Sequence, residues 1–128
     1  IKSINFKSGT TYLNTDLSRN LLGGLTNVIN YPLTFIPITD NENSIKLKTE
    51  YKLAGYTCVE NDIIGNIKIN IKPKINDKIV LSNVGSYSNV FKSPFIRPDI
   101  AVYSWDGVSL NCIRRKQDVH DITKLDLA

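Results

Sequence analysis

The dominant period of the chain is two. Ile45, Leu47 and Thr49 alternate with Lys46, Lys48 and Glu50, and Ile67, Ile69 and Ile71 alternate with Asn66, Lys68, Asn70 and Lys72. Successive side chains of a strand leave opposite faces, so this pattern describes strands with one face on a core and the other in water. Turn-forming residues separate the runs: Asp40-Asn41-Glu42-Asn43, Pro73 to Asp77, Ser93-Pro94 and Asp106-Gly107. The Asp-Gly pair accepts the positive φ angles of a type I′ turn, which predicts a hairpin joining Ile100–Trp105 to Val108–Arg114. Strands are expected near residues 2–7, 10–14, 26–38, 44–54, 63–71, 78–84, 99–105 and 108–115.

Two stretches read as helical. A short turn around Ser18–Leu22 is ended by Gly23-Gly24, and a helix opens near Gln117-Asp118, with Asp118 as its cap, and runs toward Leu125. Many short strands at this spacing predict an all-β, mainly antiparallel fold, a β-barrel or closed sandwich with a short C-terminal helix. The 128 residues suit one domain spanning 1–128, and there is no internal repeat, low-complexity segment or linker.

Composition narrows the function classes. The net charge of +4 is spread along the strands, with Arg114-Arg115-Lys116 the one basic run, which reads as a solvated surface and not as a nucleic-acid footprint. Cys58 and Cys112 belong to no CxxC pair and have no metal-ligand spacing with the lone His120, so no metal site is expected. His120 reads as a surface residue of the last helix, and Cys112, inside an apolar strand, as core packing. No apolar run approaches the ~20 residues of a membrane helix, and no signal peptide opens the chain. The expectation is therefore no membrane partner and a cytoplasmic location. The lack of any Met suggests a fragment of a longer protein.

Four segments, in order, carry a family resemblance. Gly55-Tyr56-Thr57-Cys58-Val59-Glu60-Asn61-Asp62 resembles a Gly-Pro-x-Cys-acid-x-x-Asp loop. Ile75-Asn76-Asp77-Lys78-Ile79-Val80 resembles a Gly-Asp turn followed by an apolar strand, and Asn83-Val84-Gly85-Ser86-Tyr87 resembles a Gly-Ala-Tyr segment. Ile113-Arg114-Arg115-Lys116-Gln117-Asp118 resembles an Arg-Arg-x-Glu ending before a final short helix. Together they are similar to the C-terminal β-domain of pyridoxal-phosphate-dependent decarboxylases acting on diaminopimelate, ornithine or arginine. The set covers residues 53–127, with residues 1–40 fitting the preceding strands more loosely. Three departures stand out: Tyr56 in place of Pro, Asn76 in place of the turn Gly, and Val59 where the family has an acid. Asn76 also accepts left-handed geometry. Glu60, one place after Val59, points to the other face if the stretch is extended.

The resemblance implies a division of labour. The cofactor, pyridoxal phosphate, is held by a lysine of an N-terminal (β/α)8 barrel domain that this chain lacks, so none is expected bound to the chain alone. Cys58 is the expected catalytic general acid, since a thiol's ordinary pKa of ~8.5 leaves its proton on at neutral pH yet transferable. The bland alternative for Cys58 is a small buried hydrophobe at a strand end. Asp62 and Glu60 are candidate contacts for a small amino-acid substrate; for Asp62 the alternative is an acid closing a turn before the next strand. Tyr87 is a candidate for both substrate and cofactor, and otherwise a packed rim tyrosine. The implied partners are the chain's own barrel domain and a second subunit of a homodimer, whose cofactor site the Cys58 loop enters in trans. The rival readings are a non-catalytic regulatory homologue of the same fold and an unrelated β-barrel binding module.

Overall fold

The alternating runs become strands at nearly the expected places. The computed structural model describes residues 1–23, 32–38, 44–92 and 95–124, with the backbone alone for Ser44, Ile45, Ser86 and Tyr87. In chain order the strands are β1 (Ser3–Lys7), β2 (Thr10–Asn14), β3 (Leu33–Ile36), β4 (Ser44–Ala54), β5 (Ile63–Ile71), β6 (Lys78–Leu81), β7 (Val102–Trp105) and β8 (Leu110–Arg114). The helices are α1 (Gly85–Phe91) and α2 (Val119–Thr123), and a single 3₁₀ turn spans Arg19–Leu22. Residues 24–31, within which much of the expected 26–38 strand falls, lie outside the described residues, as does Leu125. The chain falls into two compact units, Ile1–Ser93 and Pro94–Ala128.

In the first unit, β1, β2, β4 and β5 form one sheet in that order, and β3 pairs with β6 in a second. Every pairing is antiparallel except β2 with β4, which run parallel with Leu13 opposite Leu53. Leu13 and Leu53 are fully buried and sit in a core with Ile1, Leu22, Tyr51, Ile64 and Ile67. Leu33 and Phe35 of β3 and Ile79 and Leu81 of β6 pack against that core, so alternate residues of the small sheet face the large one. The fold class is all-β, mainly antiparallel and sandwich-like; among the described residues the pairings do not run round into a closed barrel.

The apolar face of β4 is shorter than its alternation suggests. The register shifts between Ser44 and Thr49, and Leu47 is 80% exposed, whereas Tyr51 and Leu53 of the same parity are buried. A second irregularity pairs Leu53 with Gly65 but Ala54 with Ile63, leaving Ile64 as the extra residue of a bulge, turned into the core. This bulge follows directly on the connection 55–62.

The second unit is the hairpin β7–β8 followed by α2. The hairpin forms where Asp106-Gly107 predicts it, but the turn is not type I′. Trp105 pairs with Leu110, so the loop has four residues, and only Gly107 has a positive φ, 99°. Asp106 Oδ1 accepts from the Val108 and Ser109 N–H groups at 2.8 and 2.7 Å, an Asx arrangement that replaces the tight turn. Asp118 caps α2 reciprocally with Asp121, and Arg115 donates both guanidinium arms to Asp121 at 2.6 Å. Cys112, expected in a core, is exposed opposite Tyr103, because β8 is exposed along its whole length. His120 is exposed on α2, as its sequence context predicts.

Candidate functional site

The connection 55–62 between β4 and β5 is built around one carboxylate. Asp62 is 4% exposed. Its Oδ1 accepts from Ser18 Oγ at 3.1 Å and from the Arg19 N–H at 2.9 Å. Its Oδ2 accepts from the Thr57 N–H at 3.0 Å and from Thr57 Oγ1 at 2.6 Å. A carboxylate offers about four lone-pair sites, and these donors fill them. For Asp62 the geometry therefore supports the loop-closing reading over an outward substrate contact.

Backbone contacts complete the clasp. The Gly55 N–H donates to the Asp62 carbonyl at 2.7 Å, and the Asp62 N–H to the Val59 carbonyl at 3.0 Å. The second bond makes Val59–Asp62 a tight turn with Glu60 at its corner, so the stretch is not extended and the face expected for Glu60 from alternation does not apply. Val59, Glu60 and Cys58 are all exposed. The buried-hydrophobe alternative for Cys58 is thereby set aside. Arg19 adds a bond from outside, its guanidinium donating to the Asn61 carbonyl at 2.8 Å.

Ser18 has two duties. It is fully buried, its Oγ donates to Asp62, and it accepts from the Asn20 N–H at 3.2 Å as the cap of the 3₁₀ turn. Gly23 ends that turn in left-handed geometry, with φ 69°. A Cβ at Gly23 would lie 2.9 Å from Phe91 Cβ, so the turn packs directly on the last residue of α1. Tyr87 lies in α1, a helix that sequence reading missed; its side chain is outside the described residues. The structure thus joins the Cys58 loop and the Tyr87 helix through Ser18–Gly23. The role of Ser18 and Thr57 was not legible beforehand, since hydroxyl residues beside a turn are common and Ser18 is 44 positions from its partner.

The second resembling segment repeats the device. Asp77, 3% exposed, accepts from the Ile38 and Lys74 N–H groups at 3.0 and 2.6 Å, and Asn76 takes a positive φ of 75° in the Gly position of that turn. A cavity of about 520 Å³ lies beside Asp77, lined also by Ile1, Asp16, Ile38, Leu53 and Ile79; among the described side chains, those of Cys58, Glu60 and Asp62 do not line it. Among the described residues no cluster of His, Cys, Asp and Glu could hold a metal ion, and no helix is long and apolar enough to cross a membrane.

No family model and no curated protein matches the sequence. Solved structures do match the fold. A diaminopimelate decarboxylase structure superposes with a TM-score of 0.85 at 18% identity, over 99% of this chain and 32% of its own. The enzyme from M. jannaschii gives 0.82 at 15% identity, over 100% of this chain and 29% of its own. The Helicobacter pylori enzyme complexed with L-lysine gives 0.78 at 18%, over 99% and 30%. This chain spans about a third of the length of those proteins, and its fold is diaminopimelate-decarboxylase-like.

Proposed function

We propose that this chain is the C-terminal β-domain of a pyridoxal-phosphate-dependent amino-acid decarboxylase, a cytoplasmic homodimer, and that Cys58 is its general acid. The observation that carries the reading is an exposed thiol on a loop whose backbone is clasped by a buried carboxylate, inside a fold of the decarboxylase type. A positioned acid needs both properties: access to the reacting carbon and a fixed approach.

Among the described side chains, those of Cys58, Glu60 and Asp62 do not line the cavity beside Asp77. By the resemblance, the cofactor would be held by a lysine of a barrel domain, where it would supply the electron sink for loss of carbon dioxide. Cys58 would hold the proton to be delivered and enter the neighbouring subunit's site. Glu60, at the turn corner, is the carboxylate free to meet a cationic group of the substrate. Tyr87 would contact cofactor and substrate in its own subunit. Asp62, expected as a second substrate contact, serves better as the acid that fixes the loop.

The test is Cys58→Ala in the full-length protein loaded with cofactor. Turnover should fall by about 10²–10⁴-fold with cofactor still bound. Unchanged turnover removes Cys58 from the mechanism. A dimer without carboxy-lyase activity on any diamino acid favours the non-catalytic homologue instead.

A further inference from the structure

We propose that Asp62 is the positioning residue of the Cys58 thiol, with Ser18 and Thr57 as the groups that set it. The loop 55–62 has no helix or ladder of its own to fix residue 58, since β4 ends at Ala54 and β5 begins at Ile63. On one side the Asp62 N–H holds the Val59 carbonyl; on the other the Asp62 carboxylate holds Thr57, the residue before Cys58, through both its N–H and its hydroxyl. The same carboxylate holds Ser18 and Arg19 on the opposite side. The thiol's approach is thus referred to the 3₁₀ turn and, through the Gly23–Phe91 contact, to α1, the helix that carries Tyr87.

The chemistry demands a carboxylate here. A backbone N–H faces each oxygen, Arg19 on Oδ1 and Thr57 on Oδ2. An asparagine of the same size, turned either way, would set its NH₂ against one of them. The position is therefore acceptor-only. A buried, acceptor-saturated acid one turn away from an exposed thiol is an anchor for that thiol and leaves the substrate to Glu60.

The consequence for catalysis rests on the decarboxylase reading; the consequence for the thiol does not, and the experiment separates them. In the full chain, Thr57→Val removes one hydroxyl donor at constant shape, Ser18→Ala removes the other, and Thr57→Ser restores the first. The primary readout is the rate of Cys58 alkylation by iodoacetamide, resolved by peptide mass against Cys112 of the same molecule. It should change several-fold in Thr57→Val and in Ser18→Ala and return in Thr57→Ser, with Cys112 unaltered. In the cofactor-loaded protein kcat should fall by about tenfold to a hundredfold with KM nearly constant, the mark of a misplaced reacting group. Wild-type Cys58 reactivity in both variants, measured on folded protein, overturns the proposal. Altered reactivity with unaltered kcat supports the positioning role and sinks the assignment of Cys58 as general acid.

Discussion

Gly55 and Asp62 face each other across the neck of the Cys58 loop: the Gly55 N–H donates to the Asp62 carbonyl at 2.7 Å, and a Cβ on Gly55 would overlap the Asp62 carboxylate. The glycine is required by close approach and not by backbone conformation, because its φ is not among the positive ones. A methyl group there must push the carboxylate away from Thr57 and Ser18.

Gly55→Ala should accordingly destabilise the first unit by about 1–3 kcal/mol, the usual cost of overpacking. Denaturant unfolding measures it. A loss under half a kilocalorie would mean that the loop yields and that the clasp is weak.

Much of this architecture can be read from the chain, and what cannot is non-local. The period-two runs place β2, β4 and β5 at their observed limits, Ser18 and Gly23 bracket the 3₁₀ turn, and Asp118 caps α2. These signals act within a few residues. Helix α1 was missed because Gly85-Ser86-Tyr87 and Val90-Phe91 have poor helix propensity, and a seven-residue helix depends on tertiary support, here the packing of Phe91 on Gly23. The exposure of Cys112 was missed because a run of apolar residues does not say which strand lacks a covering layer. For Asp62 the sequence left open a substrate contact or a turn-closing acid, because its hydrogen-bond partner Ser18 is one no spacing rule supplies.

Gly23 and Gly9 form a matched pair. Both have positive φ, 69° and 78°, but a Cβ at Gly9 meets nothing within 4 Å, whereas one at Gly23 meets Phe91 at 2.9 Å. Gly9→Ala should cost only the left-handed penalty of about 1–2 kcal/mol. Gly23→Ala should exceed it by a further overpacking cost of about 1–3 kcal/mol. Equal losses on chemical denaturation would contradict the packing of the 3₁₀ turn on α1.

The two cysteines should behave alike toward a thiol reagent and differently in catalysis. Both are exposed, so native chain should react with two equivalents of a disulfide reagent before unfolding. Cys112→Ala should stay within about 0.5 kcal/mol of wild type, since no cavity is made at an exposed site. One slow thiol that reacts only on unfolding, identified by peptide mass, would show that that cysteine is covered in solution.

The acid response of the second unit follows from Asp121 and Asp106. The Arg115 guanidinium, bonded to Asp121 through both arms, and the Asp118 N–H hold the Asp121 carboxyl down from 3.8 to about 2. The Ser109 hydroxyl and N–H, followed by the Val108 N–H, do the same for Asp106, also to about 2. A carboxylate whose folded value is depressed contributes its stability above the unfolded value and loses it as pH falls through the folded one. The contribution of both residues should thus be intact above pH 4 and disappear between about 4 and 2. Carboxyl-carbon NMR should show both groups titrating near the bottom of that window. Arg115→Gln removes the leading cause at Asp121 and should move that titration up toward the ordinary carboxylate range while leaving Asp106 in place. Arg115 is exposed, although Asp121 is partly covered, so 1 M salt, with a screening length of about 3 Å, should weaken the arginine's effect on Asp121 more than the hydrogen-bonded turn at Asp106. Coincident titration of Asp121 in the wild type and in Arg115→Gln would show that the forked ion pair does not form in solution.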